Sequence, residues 1–439
     1  MSISADQKKA LDDEAVRNFQ EYLRIPSVHP NVNYEYLRIP SVHPNVNYDD
    51  CVKFLEKQAK SLDLPIQSYS VVTGKPIVII TWTGTEPNIP SVMLNSHMDV
   101  VPVYEDKWTY KPFSAHIDSK GNIYARGSQD MKCVGIQYLE AVRRLKQQGV
   151  RLRRTIHMSF VPDEEIGGVD GMKKYIHTQH FKDLNIGVSL DEGMASPTDD
   201  YLLFYGERAI WHFHIHCPGQ PGHGSLLLDN TAGEKVHYIV NKLMTFREQE
   251  KKKLKDNPTL TLTVGDVTTI NLTQLKGGVQ SNVVPPELVV VFDCRLPVTV
   301  NHKDWENTLN QWCKEAGSGI WIEYEQKQPA IPITKLDNSN TFWKVFKESA
   351  DQMGLKLTQR IFPGGTDSRY VRDVGLPAFG FSPMNNTPVL LHDNDEYLNV
   401  NTFLKGIEIY YKLIKDIANL EDKTGVWCFI LRGAIRSQS

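Results

Sequence analysis

The sequence predicts an α/β fold with a mainly parallel central sheet, interrupted by an inserted β-α-β-β-α-β domain. Three observations carry this expectation. Strand and helix signals alternate from residue 49 to about 205. Between about 205 and 326 the order changes to strand, helix, two strands, helix, strand. Alternating material then resumes to about residue 420. The expected division is an outer domain of residues 1–205 plus 327–439 and an insert of residues 206–326.

Each element has a local reason. Asp49 or Asp50 can cap a helix whose apolar residues Val52, Leu55, Ala59 and Leu62 share one face. Runs rich in β-branched residues at 76–82 and 91–97 read as strands. A helix over 131–148 carries Val134, Tyr138, Val142 and Leu145 along one side, with Gly149 past its end. Strand-like runs follow at 155–161 and 186–190. In the insert, a strand at 208–217 precedes a helix from about Thr231. Strands at 261–275 and 283–295, a helix near 303–316 and a strand at 319–325 complete the ferredoxin-like order. Helices near 338–353 and 401–419 then flank an apolar strand at 376–381.

Composition narrows the function classes. With 439 residues, 41% of them hydrophobic, the chain can bury two sizeable cores. A net charge of −3 gives no reason to expect nucleic acid or an anionic membrane as partner. No apolar run approaches the roughly 20 residues a membrane span needs. The six cysteines contain no C-x-x-C pair, which argues against a disulfide framework or a thiolate zinc site. Together with a polar N-terminus lacking an apolar signal region, this predicts a cytoplasmic protein. The sequons at Asn271 and Asn385 are then chance matches.

One repeat stands out. EYLRIPSVHPNVNY at 21–34 recurs unchanged at 35–48. A single tandem copy cannot build a stacking architecture, so the extra segment reads as a surface loop, with a second binding element as the alternative.

The chemistry-bearing residues lie where strands end. In Asn95-Ser96-His97-Met98-Asp99, two positions on an extended chain put His97 and Asp99 on one side. That suits a metal-ligating imidazole with a carboxylate to orient it, although a lone H-x-D is usually ordinary surface polarity. Asp130, in Arg126-Gly127-Ser128-Gln129-Asp130-Met131, precedes a helix and reads first as a plain N-cap, the commoner role for Asp there; bridging two metal ions is the alternative and needs the other ligands to converge on it. Asp163-Glu164-Glu165 closes an apolar strand; three adjacent carboxylates repel unless exposed or neutralised by a cation. Glu192 follows another strand, and His392 lies near the C-terminus. Imidazole and carboxylate ligands without thiolate favour zinc, with manganese or cobalt as alternatives.

The ordered set NSHMDVVP, ARGSQDMK, VPDEEIGG, LDEG, PGHGS, GGTDSRY and LLHDNDE resembles the M20 group of zinc-dependent metallopeptidases, and within it the aminoacylase branch. The match runs from about 49 to 420 in the right order. The resemblance implies a zinc-peptidase-like catalytic domain with a lid that also dimerises, two zinc ions per subunit, and hydrolysis of N-acyl amino acids. By position it implies Asp130 as the bridge, His97 and Glu192 completing one zinc site, and Glu165 and His392 the other. Asp99 would orient His97, Glu164 would be the general base, and His223 would polarise the scissile carbonyl, often across a dimer interface. Asn282, Arg295, Thr366 and Arg369 would contact substrate. From about 421 the tail, ending GVWCFILRGAIRSQS, departs from the family pattern.

Three other readings compete. His212, His214 and His216 share one face of a strand and tempt a second metal site, but Trp211, Phe213 and Ile215 on the other face make a solvated polar face the simpler account. A dipeptidase or carboxypeptidase of the same group would use the same chemistry on another acyl side. A non-catalytic binding protein has no need of Glu164 beside five ligands.

Overall fold

The structure, a computed structural model, describes residues 4–28, 46–257 and 262–421. Its centre is an eight-stranded sheet in the order Ile66–Val72, Lys75–Trp82, Ile156–Val161, Ser91–His97, Ile186–Asp191, Ala378–Phe381, Tyr201–Glu207 and Leu357–Phe362. The central strands Ile156–Val161, Ser91–His97, Ile186–Asp191 and Ala378–Phe381 run parallel, as expected. An antiparallel hairpin, Ile66–Val72 with Lys75–Trp82, closes one edge. Every residue of Ser91–His97 and Ile156–Val161 is buried, because both faces of a parallel sheet are covered.

Helices Ala5–Leu23, Lys132–Gln147 and Val400–Ala418 pack together and bury one side of the sheet. Tyr138 and Tyr410 meet edge to face between the last two. His97, Val161 and Asp191 all lie at the carboxyl ends of parallel strands, the end where open α/β sheets place their ligands.

The chain leaves this sheet at Glu207 and enters a second, four-stranded one at Ala209. Its order is Thr269–Gly277, Glu287–Leu296, Ala209–Pro218 and Trp321–Lys327, antiparallel throughout, with helices Ala232–Lys255 and His302–Ala316 against one face. The helix start expected near Thr231 is a capping box in which Thr231 and Glu234 exchange hydrogen bonds. Along Ala209–Pro218 burial alternates strictly, with Trp211, Phe213 and Ile215 under the helices.

Two sequence expectations need correction. The residue before the helix Asp49–Leu62 is Tyr48, and Asp49 and Asp50 sit in its first turn, where they favour the positive end of the helix dipole without capping it. The strand expected from 261 begins at Thr269, because Thr263 and Asp266 cap a short 3-10 turn just before it.

Both copies of the repeat contribute to the packed body. Tyr22, Leu23 and Ser27 of the first copy are buried, as are Val46 and Tyr48 of the second. Residues 29–45, to which the surface-loop reading applies, lie outside the described residues, as does the tail from 422.

Candidate metal centre and active site

The loops leaving the parallel strands bring the candidate ligands together. His97 ends its strand, and its Nδ1 bonds the backbone carbonyl of Asp99 at 2.9 Å. Its Nε2 faces Asp130 Oδ1 at 3.0 Å and Glu192 Oε2 at 3.7 Å. The second Asp130 oxygen, Oδ2, lies 3.0 Å from His392 Nε2, which is also 3.0 Å from Glu165 Oε2. Asp130 therefore stands between two imidazoles, one oxygen toward each. It does not cap the helix it precedes: the residue at the helix boundary is Met131, without a side-chain cap bond.

Asp99 does more than the sequence suggested. His97 is held by its backbone carbonyl, while its carboxylate, 3.6 Å from the ring, accepts the backbone N–H groups of Glu164 at 3.2 Å and Glu165 at 3.0 Å. One carboxylate thus ties the His97 loop to the Glu164–Glu165 loop. That second loop turns sharply: Asp163 has φ +63°, Glu164–Ile166 form a single 3-10 turn, and Gly167 at φ +100° leads out.

Burial sets the electrostatics. Burial and the nearby Asp130 carboxylate push Glu165 up to about 7 and Glu192 well above the usual carboxylate range. Glu164 is also raised well above that range, by burial and by Asp367. Burial opposes the imidazolium of His392, but hydrogen bonds to Asp130 and Glu165 outweigh it and push the ring up to about 10. His97 is raised in the same way by Glu192 and Asp130 against its burial. Without a cation the cluster must keep protons to limit carboxylate repulsion. Glu165 Oε1 is moreover buried without a hydrogen-bond partner. Both observations, with a donor set of two imidazoles and three carboxylates, fit a pair of divalent ions.

A cavity of about 480 Å³ opens onto this cluster, lined by Asp130, Glu164, Glu165, Glu192 and His392. Arg369 and Arg295 also line it, as do the apolar Met194, Ile210, Phe362 and Leu391. Arg369 is buried, with Nη2 3.8 Å from Glu164 Oε1. Arg295, from the small sheet, is held by both oxygens of Asp293 at 2.7 and 2.8 Å.

The other sequence-assigned residues stand apart. Thr366 is buried and bonds Glu207 through both its N–H, at 2.6 Å, and its hydroxyl, at 2.7 Å, so it braces the loop rather than facing the cavity. His223 and Asn282 are exposed on a two-stranded ribbon, Gly222–His223 against Val283–Val284, and neither lines the cavity. His212, His214 and His216 lie on the open face of the small sheet. They pair with Asp293 at 3.0 Å, Glu325 at 3.2 Å, and Glu287 and Glu323 at 3.3 and 3.2 Å. His214, His216 and Glu323 bring possible ligand atoms within 4.8 Å, yet each imidazole already has a carboxylate partner, as on a solvated polar face.

Glu396 is a residue that the sequence reading passed over. Its buried carboxylate accepts from Arg126 Nη1 at 2.8 Å and from the N–H groups of Gly127 and Gln129 at 3.1 and 2.6 Å, fixing the loop that presents Asp130. The signal available was its place in Leu391-His392-Asp393-Asn394-Asp395-Glu396, beside a candidate ligand.

The chain is similar to known proteins of one family. Mouse aminoacylase-1 is 48% identical over 411 residues, covering 94% of this chain and 97% of its own. A metallo-carboxypeptidase of the M20 family from Sulfolobus solfataricus superposes with TM-score 0.70 at 18% identity, covering 93% of this chain and all of its own. The Bacillus subtilis YXEP protein, described as a dinuclear metal-binding peptidase of the M20 family, superposes with TM-score 0.64 at 15% identity, covering 93% of this chain and 98% of its own. Residues 93–416 match Peptidase family M20/M25/M40, and with that span, this fold and this site, the chain belongs to that family.

Proposed function

We propose that the protein is a metal-dependent amidohydrolase that cleaves N-acyl amino acids into a free amino acid and a carboxylate. The observation that carries this reading is the placing of Asp130 between His97 and His392, with Glu164 beside them at the floor of one cavity. Aminoacylase-1 relatives supply the substrate class.

In this reading His97, Glu192 and Asp130 would hold one zinc ion, and Glu165, His392 and Asp130 would hold the other. When bound, metal at these residues would supply a water with its pKa lowered to roughly 7 and a Lewis acid for the substrate carbonyl. Glu164 is the proton carrier: it takes a proton from the attacking water and delivers it to the leaving nitrogen. Arg369 brings a guanidinium group to hold the carboxylate of the amino acid, and Arg295, whose Nε and Nη2 are taken by Asp293, adds positive charge to the cavity wall. Thr366 keeps the Arg369 loop in place through Glu207.

The catalytic unit runs to Glu207 and resumes after Lys327, and the lid runs from Ala209 to Lys327, later at both ends than the division expected from sequence. His223 and Asn282 do not line the cavity of their own chain, and delivery by the lid of a second copy is the reason to infer a homodimer. Among the described residues no helix is long and apolar enough to cross a membrane. Cys51, Cys133, Cys217, Cys294 and Cys313 are free and buried, which suits a cytoplasmic location.

The test is hydrolysis of N-acetyl-methionine by zinc-loaded protein, with a chelated sample and the dipeptide alanyl-methionine as comparisons. Chelator-sensitive release of methionine from the acetyl substrate supports the aminoacylase reading. Preference for the dipeptide would replace it with a peptidase of the same family.

A further inference from the structure

Three consecutive amides lead the chain into the metal centre, and each is held by a side chain. Asp99 takes those of Glu164 and Glu165. The first, Asp163 N–H, goes to the phenol oxygen of Tyr48 at 3.0 Å. The same Tyr48 hydroxyl donates to Asp163 Oδ1 at 2.6 Å, so two residues far apart in the chain exchange two hydrogen bonds. Asp163 Oδ2 accepts from the Lys75 ammonium. All three residues are buried: Asp163 is 1% exposed, Tyr48 2% and Lys75 7%.

Burying a lysine and an aspartate is costly unless the pair is closely bonded, and a core of apolar side chains would serve stability as well. The arrangement has a geometric consequence instead. Asp163 adopts φ +63°, a left-handed backbone that a β-carbon disfavours. That conformation turns the chain from the buried strand Ile156–Val161 into the 3-10 turn carrying Glu164 and Glu165. The backbone carbonyl of Asp163 also accepts from Gly168 N–H at 2.7 Å, closing the loop on itself. With amide, carbonyl and both carboxylate oxygens engaged, Asp163 has no freedom to relax.

We propose that Tyr48 and Lys75 are positioning residues for catalysis: they clamp Asp163 in its left-handed turn and so aim Glu164 into the cavity. The proposal rests on the reading of Glu164 as general base. It also gives the tandem repeat a mechanistic position. Tyr48 is the last residue of the second copy. In the first copy, the Ser27 hydroxyl donates to the Met98 carbonyl at 2.5 Å, and the Ser27 carbonyl accepts from Val100 N–H at 2.9 Å. The duplicated stretch therefore runs between contacts to the two loops that hold His97 and Glu165.

The test compares Tyr48→Phe and Lys75→Met with the parent protein, each scored for bound zinc, melting temperature and steady-state kinetics on N-acetyl-methionine. Tyr48→Phe is made together with Tyr34→Phe, because the first copy carries an identical tyrosine. Lys75→Met stands as an independent probe should the tyrosine variant fold poorly. The expected result is a kcat about 10- to 100-fold lower at full zinc occupancy, with KM changed less than about threefold, since small misplacements of a reacting group cost that much. In a Glu164→Gln background the same substitutions are expected to lower kcat by less than about twofold further, because a device acting through Glu164 has nothing left to position. Equal fold losses in both backgrounds, or a loss below about threefold in the parent, would overturn the clamp. A nearly normal Glu164→Gln enzyme would instead overturn the general-base reading itself, and with it the proposal.

Discussion

Asp130 and His392 are 262 positions apart in the chain and 3.0 Å apart in space. His392 lies in a turn at φ +62°, while Asp130 is held by a loop tied to Glu396. Because the other Asp130 oxygen faces His97, a single carboxylate joins the N-terminal and C-terminal parts of the catalytic unit. Whatever occupies the space between these groups is held by residues that only the complete fold assembles.

Removing that carboxylate should affect both ions. Asp130→Ala is expected to lose both zinc ions, whereas His97→Ala and His392→Ala each lose mainly one. Elemental analysis of dialysed protein reads this directly, and an Asp130→Ala protein that still binds two equivalents would show that the bridge lies elsewhere.

Metal loading should release protons. In the metal-free site His392 is raised to about 10, so it is protonated at pH 7, and burial and Asp130 raise Glu165 to about 7, so it keeps part of its proton there. Ligation requires both to be deprotonated, so zinc affinity falls as pH falls. Titration calorimetry in buffers of different ionisation enthalpy is expected to show at least one proton released per subunit at pH 7. Heats independent of buffer would contradict the assignment of these groups as ligands.

The repeat should be dispensable. Deleting residues 29–42 restores a single copy and keeps Tyr22, Ser27, Val28, Val46 and Tyr48. Shortening the 17 residues between Val28 and Val46 to 3 lowers the closure entropy cost by about 1–2 kcal/mol. Denaturant unfolding is expected to show a modest stabilisation, with kcat unchanged within twofold. A tenfold loss of activity would give the second copy a role in binding or catalysis.

Lid residues should act across subunits. His223→Ala and Glu164→Gln proteins are each expected to be nearly inactive, and after dissociation and reassociation as a mixture to recover up to about a quarter of parental activity, through the wild-type site in each mixed dimer. Mixed samples that stay inactive, or a monomer by ultracentrifugation with full activity, would contradict action across subunits, and a nearly normal His223→Ala protein would place His223 outside the reaction.

Much of this was legible because the motifs sit at strand ends. Buried strands read as apolar runs, and His97, Glu165 and Glu192 follow those runs directly, so their shared location came from the alternation of elements. The small sheet was legible from the strict alternation of Trp211, His212 and Phe213. Other features depend on contacts that no local pattern encodes. The hydroxyl of Thr366 is turned to Glu207, Asp99 uses its carbonyl for His97 and its carboxylate for another loop, and Glu396 supports a segment over 260 residues earlier. Two strands have no expectation in the sequence: Leu357–Phe362, a partly exposed edge strand, and its largely buried neighbour Tyr201–Glu207, which is followed after one residue by the strand of the small sheet.

The central claim is that Glu164 carries the proton while other residues hold the metal, and Glu164→Gln separates the two roles. Zinc content and N-acetyl-methionine hydrolysis are measured on the same purified sample. The account requires two zinc ions per subunit, an unchanged melting temperature, and kcat lower by at least about 100-fold. Near-normal turnover at full zinc occupancy would contradict it, and so would loss of zinc together with activity, which would make Glu164 a ligand rather than the base.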